Sequence, residues 1–277
     1  MDTEWMNKSK ESCSFIQNIV KSQPKIAIVL GSGLGGIANQ LVLHQSISFA
    51  DIPYFPVSTV VGHQGTMLFG TLNGVEVCVL NGRKHFYEGA PMQDVVFPIY
   101  VLKALGIRTL ILSNAAGGLN PVFRVGDIMV LNGHINHIFS HPLRAHQETY
   151  GMMALHPVEV YSRRLIQLTH TLAQEQGLRL MEGVYLAHSG PYFGTQAESR
   201  MQYRLGADAV GMSTIPEAIV AKSLNINVLA FSVITDLANG YQEEHPSHEA
   251  VLQAATLAGD RLVKLVMQLV KQNITFC

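Results

Sequence analysis

Strand-sized apolar runs, several of them ending at glycine, are the feature that most restricts how this chain can fold. Lys25–Leu30, Thr66–Leu72, Val75–Leu80, Arg108–Ser113, Asp127–Leu131, Glu182–His188, Asp208–Met212 and Ile226–Ile234 are rich in β-branched residues and read as strands. Asn73-Gly74 joins two of these runs, and that pair suits a type I′ hairpin turn, which needs positive φ at both positions. Helical patterns fill the spaces between: Met92–Leu105, with a kink expected at Pro98; Glu159–Gln176, stopping at Gly177; Gln196–Leu205; Pro216–Ser223; and Ser247–Lys271. Residues 1–23 read as an N-terminal helical arm. Alternating strand and helix, with one hairpin, predicts an α/β fold, a mixed sheet covered by helices. No Pro/Ser/Gly-rich linker and no internal repeat interrupts the pattern, so a single domain over 1–277 is expected.

Only 14% of the residues are charged and 48% are hydrophobic, against about 25% charged in an average soluble domain. No run approaches the ~18 consecutive apolar residues of a spanning helix, so no membrane partner is expected. The composition also excludes disorder. The charge deficit predicts that extra surface is buried in an oligomer. A net charge of −1 without a basic block argues against nucleic acid as a partner. Cys13, Cys78 and Cys277 form no CxxC pair, and the N-terminus has no apolar leader, which together predict a cytoplasmic protein.

Gly31-Ser32-Gly33-Leu34-Gly35-Gly36 directly follows a strand and fits GxGxxG, with Asp51 about 20 residues on, as in a dinucleotide site. Residues 37–51 barely hold the helix and strand that such a crossover needs. Three readings stay open at this segment: a dinucleotide loop, a tight turn that needs small residues, and a loop whose amides and Ser32 hydroxyl bind one phosphate. Further glycine-rich strand ends follow. Gly62-His63-Gln64-Gly65, Gly82-Arg83-Lys84-His85-Phe86-Tyr87-Glu88-Gly89, Asn114-Ala115-Ala116-Gly117-Gly118 and Val210-Gly211-Met212-Ser213-Thr214 supply planar cations, imidazoles, hydroxyls and approachable amides. Ligands of open α/β sheets bind at the carboxyl ends of strands, so these ends predict a pocket for an anion and a small molecule.

With Gly190-Pro191-Tyr192-Phe193-Gly194-Thr195-Gln196-Ala197-Glu198 and Ile215-Pro216-Glu217 added, these motifs resemble the trimeric purine nucleoside phosphorylases, in family order from about residue 25 to 270. The resemblance implies a mixed, distorted sheet or barrel core surrounded by helices, and a homotrimer. The implied reaction is phosphorolysis of purine nucleosides to free base and pentose 1-phosphate, a step of purine salvage. No cofactor or metal is implied, and inorganic phosphate is a co-substrate. The phosphate site would use Ser32, His63, Arg83, His85, Ala115 and Ser213. The ribose site would use Tyr87, Met212 and His248, with Tyr150 lent to a neighbouring subunit. The base site would use Ala116, Phe193, Gly194, Thr235 and Asp236. Asp236 and His85 are the implied catalytic residues.

Two positions depart from the family pattern for 6-oxopurines. Gly194 stands where those members have Glu, and Asp236 where they have Asn. A Glu carboxylate accepts from a 6-oxopurine N1–H; adenine's N1 is itself an acceptor. Both changes therefore favour acceptance of adenosine. A water or a shifted side chain filling the space at Gly194 would instead leave a relaxed 6-oxopurine enzyme. Methylthioadenosine or methylthioinosine phosphorylase is an alternative, opposed by His248, which suits a 5′-hydroxyl. A nucleoside-binding paralogue with impaired catalysis is another. In the mechanism, a protonated Asp236 donates to purine N7 while phosphate attacks C1′. His134, His137 and His141 are read as a loop rather than as metal ligands, and no GxSxG elbow supports a triad of His188, Ser189 and Asp208.

Overall fold

A computed structural model describes residues 3–31, 35–59, 64–144, 159–238, 248–272 and 274, with the backbone only for 3, 248–255 and 257. In chain order the elements are α1 (Thr3–Ile19), β1 (Ile26–Val29), α2 (Gly36–Asn39), β2 (Val42–Ser48), β3 (Thr66–Leu72), β4 (Val75–Asn81), α3 (Met92–Ala104), β5 (Thr109–Gly118), β6 (Ile128–His137), α4 (Arg163–Glu175), β7 (Leu180–His188), α5 (Gln196–Arg204), β8 (Ala209–Gly211), α6 (Ile215–Ser223), β9 (Asn227–Leu237) and α7 (His248–Lys271). Short 3-10 turns cover Phe49–Asp51 and Phe86–Glu88.

The sheet runs β2-β3-β4-β1-β5-β8-β7-β6-β9, and β9 pairs back onto β5. Strands β5, β8, β7, β6 and β9 therefore close into a ring, from which β1, β4, β3 and β2 extend as an open wing. Closure removes free edges on that side. Ala27, Ile28, Leu110, Leu112, Val228, Leu229 and Ala230 are wholly buried, which is why these strands read as continuous apolar runs. Helix α1 lays Ile16 into the core and sets Trp5 edge-on against Phe97 of α3 at 5.4 Å. Pro98 lies within α3, which runs unbroken through it.

The hairpin forms at Asn73-Gly74, both residues with positive φ. Strand β2 has no counterpart among the expected runs. Its residues are mostly exposed and it pairs only with β3, so backbone pairing rather than an apolar pattern makes it a strand. Strands β5 and β6 also run past their expected ends. The Asn114–Gly118 segment is not beyond β5 but within it, paired along its length by β9. Likewise His134 and His137 belong to β6 rather than to a loop.

The dinucleotide reading fails on topology. Strand β1 has β4 and β5 as neighbours, β2 pairs with β3 and not with β1, and Asp51 is exposed in a 3-10 turn. Gly31 instead answers a steric demand. A Cβ there would lie 2.6 Å from the Ser113 carbonyl oxygen and 2.8 Å from Asn114 Cα. Gly31→Ala is expected to force the chain off β5 and to destabilise the fold by about 1–3 kcal/mol. Chemical denaturation against the parent protein measures this.

Candidate active site

Strand β9 covers one edge of β5 throughout, while the other edge is shared. β1 pairs in parallel with Thr109–Leu112, and β8 pairs antiparallel with Gly117 and Gly118. The carboxyl ends of β1 and β8 therefore point at each other across residues 113–116, which have no strand partner on that edge among the described residues. A cavity of about 310 Å³ opens at this gap. As at a topological switch point, the crevice lies at the carboxyl ends of strands.

At the β1 end the cavity is built around a buried cation. Arg83, 5% exposed, donates from Nη1 to Ser213 Oγ (3.2 Å) and Thr214 Oγ1 (3.1 Å), and from Nη2 to the Val29 carbonyl (3.3 Å). Its Nε lies 3.3 Å from Glu217 Oε1. Burial pushes the Glu217 carboxyl up from its ordinary value, against the pull of Arg83 and the Thr214 N–H. Asn114 ties the bed together, donating to Thr214 Oγ1 (2.8 Å) and accepting from Ser232 (2.8 Å). Thr214 holds φ at 74°, a left-handed conformation that is strained for a β-branched residue. The chain turns there from β8 into α6, and Ser213, just before the turn, lines the cavity.

His85 precedes the 3-10 turn at Phe86–Glu88, with its ring stacked on Tyr87 at 4.8 Å. Glu88 fixes this turn. It accepts from the His85 N–H (2.6 Å), the Thr59 N–H and hydroxyl (2.7 Å each), and pairs with Lys84 (3.0 Å). Burial would raise the Glu88 pKa, yet these donors bring it down to about 2.

At the β8 end, a register shift in β9 between its pairings with Ala116 and Gly117 leaves Thr235 as an extra residue. Neighbouring strand residues ordinarily face opposite sides. The bulge lets both Thr235 and Asp236 line the cavity. Thr235 donates to Asp236 Oδ1 at 3.1 Å, and both residues are buried. A Cβ on Gly117 would meet Asp236 Oδ2 at 3.2 Å and Ala238 Cβ at 2.8 Å, so the missing side chain is what admits the carboxylate.

Of the residues expected from sequence, Arg83, His85, Tyr87, Ala115, Ala116, Phe193, Gly194, Met212, Ser213, Thr235 and Asp236 line this one cavity. Ser32, His63 and Tyr150 lie outside the described residues, as does the side chain of His248, the first residue of α7. Asn114, His188, Ser199 and Gln202 line the cavity without having been expected there. Asn114 lies inside a motif already singled out; Ser199 and Gln202 are polar residues of an expected helix, and such residues ordinarily face solvent. His188 accepts the Gly190 N–H at Nδ1 (3.1 Å), and burial lowers its pKa. The triad reading fails because Asp208 is engaged by the Val184 N–H and Asn120, while Ser189 donates to the Gly190 carbonyl. Among the described residues no cluster of His, Cys, Asp and Glu is placed to hold a metal ion, and no helix is long and apolar enough to cross a membrane.

Residues 25–271 match the sequence model of a family described as the phosphorylase superfamily. Purine nucleoside phosphorylase 1 of Geobacillus stearothermophilus is 40% identical over 269 residues, covering 96% of this chain and 98% of the relative. A Schistosoma purine nucleoside phosphorylase solved with hypoxanthine superposes with a TM-score of 0.89 at 34% identity, covering 96% and 97% of the two chains. The Schistosoma mansoni enzyme solved with adenosine gives 0.83 at 33% identity, with the same coverage.

Replacing Arg83 with Met would leave Glu217 as a buried, unpaired carboxylate. Near neutral pH the variant is expected to lose about 3 kcal/mol of stability. In the variant the folded pKa of Glu217 lies above the unfolded one, so the folded state binds the extra proton. The loss should therefore shrink as pH falls toward the ordinary carboxylate value, and adding Glu217→Gln should recover part of it at neutral pH. Denaturation at a series of pH values checks both.

Proposed function

The chain belongs to the phosphorylase superfamily, among its purine nucleoside phosphorylases, and on that premise we propose how its cavity carries out reversible phosphorolysis. The substrates are a purine nucleoside and inorganic phosphate; the products are the free purine and pentose 1-phosphate. The C1′–N9 bond breaks with its electron pair leaving on the base, and a C1′–O bond to phosphate forms. No cofactor enters this balance.

The single observation that carries the reading is the two-ended cavity. Buried Arg83 and His85 and half-buried Ser213 line one end, and buried Thr235 and Asp236 line the other. The two ends are separated by the β5 residues from Ser113 to Gly117, roughly 13 Å of strand. That spacing accommodates a phosphate, a sugar and a base in line. Phosphate would lie on Arg83, His85, Ser213 and the Ala115 backbone, joined by Ser32 and His63. Tyr87 and Met212 would wall the sugar, with His248 on its 5′-hydroxyl and Tyr150 from a neighbouring subunit. Ala116 and Phe193 would flank the purine, with Thr235 and Asp236 at its five-membered ring. Bond cleavage builds positive charge on the sugar and negative charge on the base. Bound phosphate stabilises the first, and a protonated Asp236 donating to N7 stabilises the second. Gly194 presents no carboxylate to the base, which supports acceptance of adenosine beside inosine. The similar proteins carry the purine nucleoside phosphorylase name rather than the methylthioadenosine one, so that alternative is not favoured.

The same reading makes the protein a cytoplasmic homotrimer acting in purine salvage. Its 14% charged residues, together with exposed Val42, Leu43 and Phe139, support subunit burial. Light scattering at micromolar concentration should give three times the chain mass; a monomer would remove the support. Phosphate-dependent release of purine from adenosine, inosine, guanosine, xanthosine and methylthioadenosine tests the activity. Asp236→Ala should lower kcat by about 10²–10⁴-fold with the KM for phosphate little changed. Unchanged turnover would remove Asp236 from its role.

A further inference from the structure

Helix α5 turns polar residues inward. Its buried positions are Ser199 and Gln202, 5% and 4% exposed, while Met201 and Tyr203 on the same helix are 39% and 46% exposed. Apolar packing would produce the opposite pattern. Ser199 and Gln202 are one turn apart and share a face, and both line the cavity. Among the described residues neither side chain makes a hydrogen bond, and neither is among the fully buried polar atoms left without a partner, so their polar atoms open into the cavity. An amide that faces a cavity without a protein partner keeps its donor and its acceptor for a ligand.

Gly194 explains where that amide can reach. A Cβ at Gly194 would lie 3.9 Å from Gln202 Nε2. With no side chain at 194, nothing on that residue separates the amide from the cavity. The base-stacking candidate Phe193 is its immediate neighbour in sequence.

We infer that Gln202 reads the six-membered edge of the purine, from N1 to the 6-substituent, and that its amide serves both 6-oxo- and 6-aminopurines. This rests on the phosphorolysis reading above. A 6-oxopurine offers N1–H as donor and O6 as acceptor, which a Gln meets with its carbonyl oxygen and its NH₂. A 6-aminopurine offers N1 as acceptor and the amino group as donor, which the same amide meets after a half-turn. A carboxylate can only accept and so cannot make that exchange. The adjacent Ser199 hydroxyl is a donor or an acceptor as needed, so it supports either orientation.

Steady-state phosphorolysis of inosine and adenosine by the full-length protein and by Gln202→Leu and Gln202→Glu tests this. The parent protein is expected to cleave both nucleosides. Gln202→Leu should lower kcat/KM for both by a similar factor of about 10, as for one lost hydrogen-bonding group. Gln202→Glu should shift the inosine-to-adenosine ratio of kcat/KM by about 10-fold toward inosine. The KM for phosphate should stay put in both variants. Gln202→Leu leaving both substrates within 2-fold, Gln202→Glu leaving the ratio unchanged, or a parent protein that cleaves inosine but not adenosine would each overturn the inference. Should neither variant fold, the parent protein alone decides it with 1-deazaadenosine, which has a C–H in place of N1. A loss of about 10-fold against adenosine supports the inference, and equal rates overturn it. A parent protein that releases purine from no nucleoside would bring down the phosphorolysis reading itself.

Discussion

Residues 113–116 of β5 have a strand on one side only, and the site follows from that gap. One strand cannot hold β1 and β8 on the same edge over the same residues. Their carboxyl ends instead face each other across the unpaired stretch. The space between is lined by the bare backbone edge of β5, whose N–H and C=O groups are there for a ligand. Closing β5, β8, β7, β6 and β9 into a ring fixes β8 in place, so the gap cannot be zipped shut by extending β1. The glycines around it, Gly31 and Gly117, are spaces where a side chain would strike β5 or Asp236.

Electrostatics then divide the cavity. Arg83 is buried 3.3 Å from Glu217, whose carboxyl burial pushes up from its ordinary value. The bed of Thr214, Asn114, Ser113 and Ser232 holds the guanidinium in one orientation, which matters because a buried ion is tolerated only with its hydrogen bonds made. Glu88 does the same for the His85 turn and stays ionised because its donors outweigh its burial. At the far end the carboxylate of Asp236 is brought in by a bulge rather than by the strand's own alternation. The end that carries the Arg83 cation and the end that carries the Asp236 carboxyl are thus separated by the length of strand between them.

Much of this was legible beforehand. The order of strands and helices followed from apolar periodicity, and the hairpin from Asn73-Gly74, because both signals are local. Arg83, His85 and Ser213 sit in motifs at strand ends, where chemistry and glycine coincide, whereas Asp236 comes from the family resemblance; all four line the cavity. Strand β2 was missed because an exposed edge strand needs no apolar pattern. The Asn114–Gly118 segment reads as a strand end because glycine usually breaks strands, whereas β9 pairs it through. Gln202 was missed for a related reason: a polar residue on a helix ordinarily faces water.

The sequence by itself determined the α/β class, the alternation of elements and the residue types at each strand end, because backbone preference and side-chain chemistry are properties of short segments. Only the tertiary structure decided that β9 returns to β5, that β1 and β8 meet across a gap, and that a bulge turns Thr235 and Asp236 to one side. It alone decided that Ser199 and Gln202 face inward. Those outcomes depend on which distant segments share an edge, and strand pairing between residues a hundred positions apart leaves no local mark on either one.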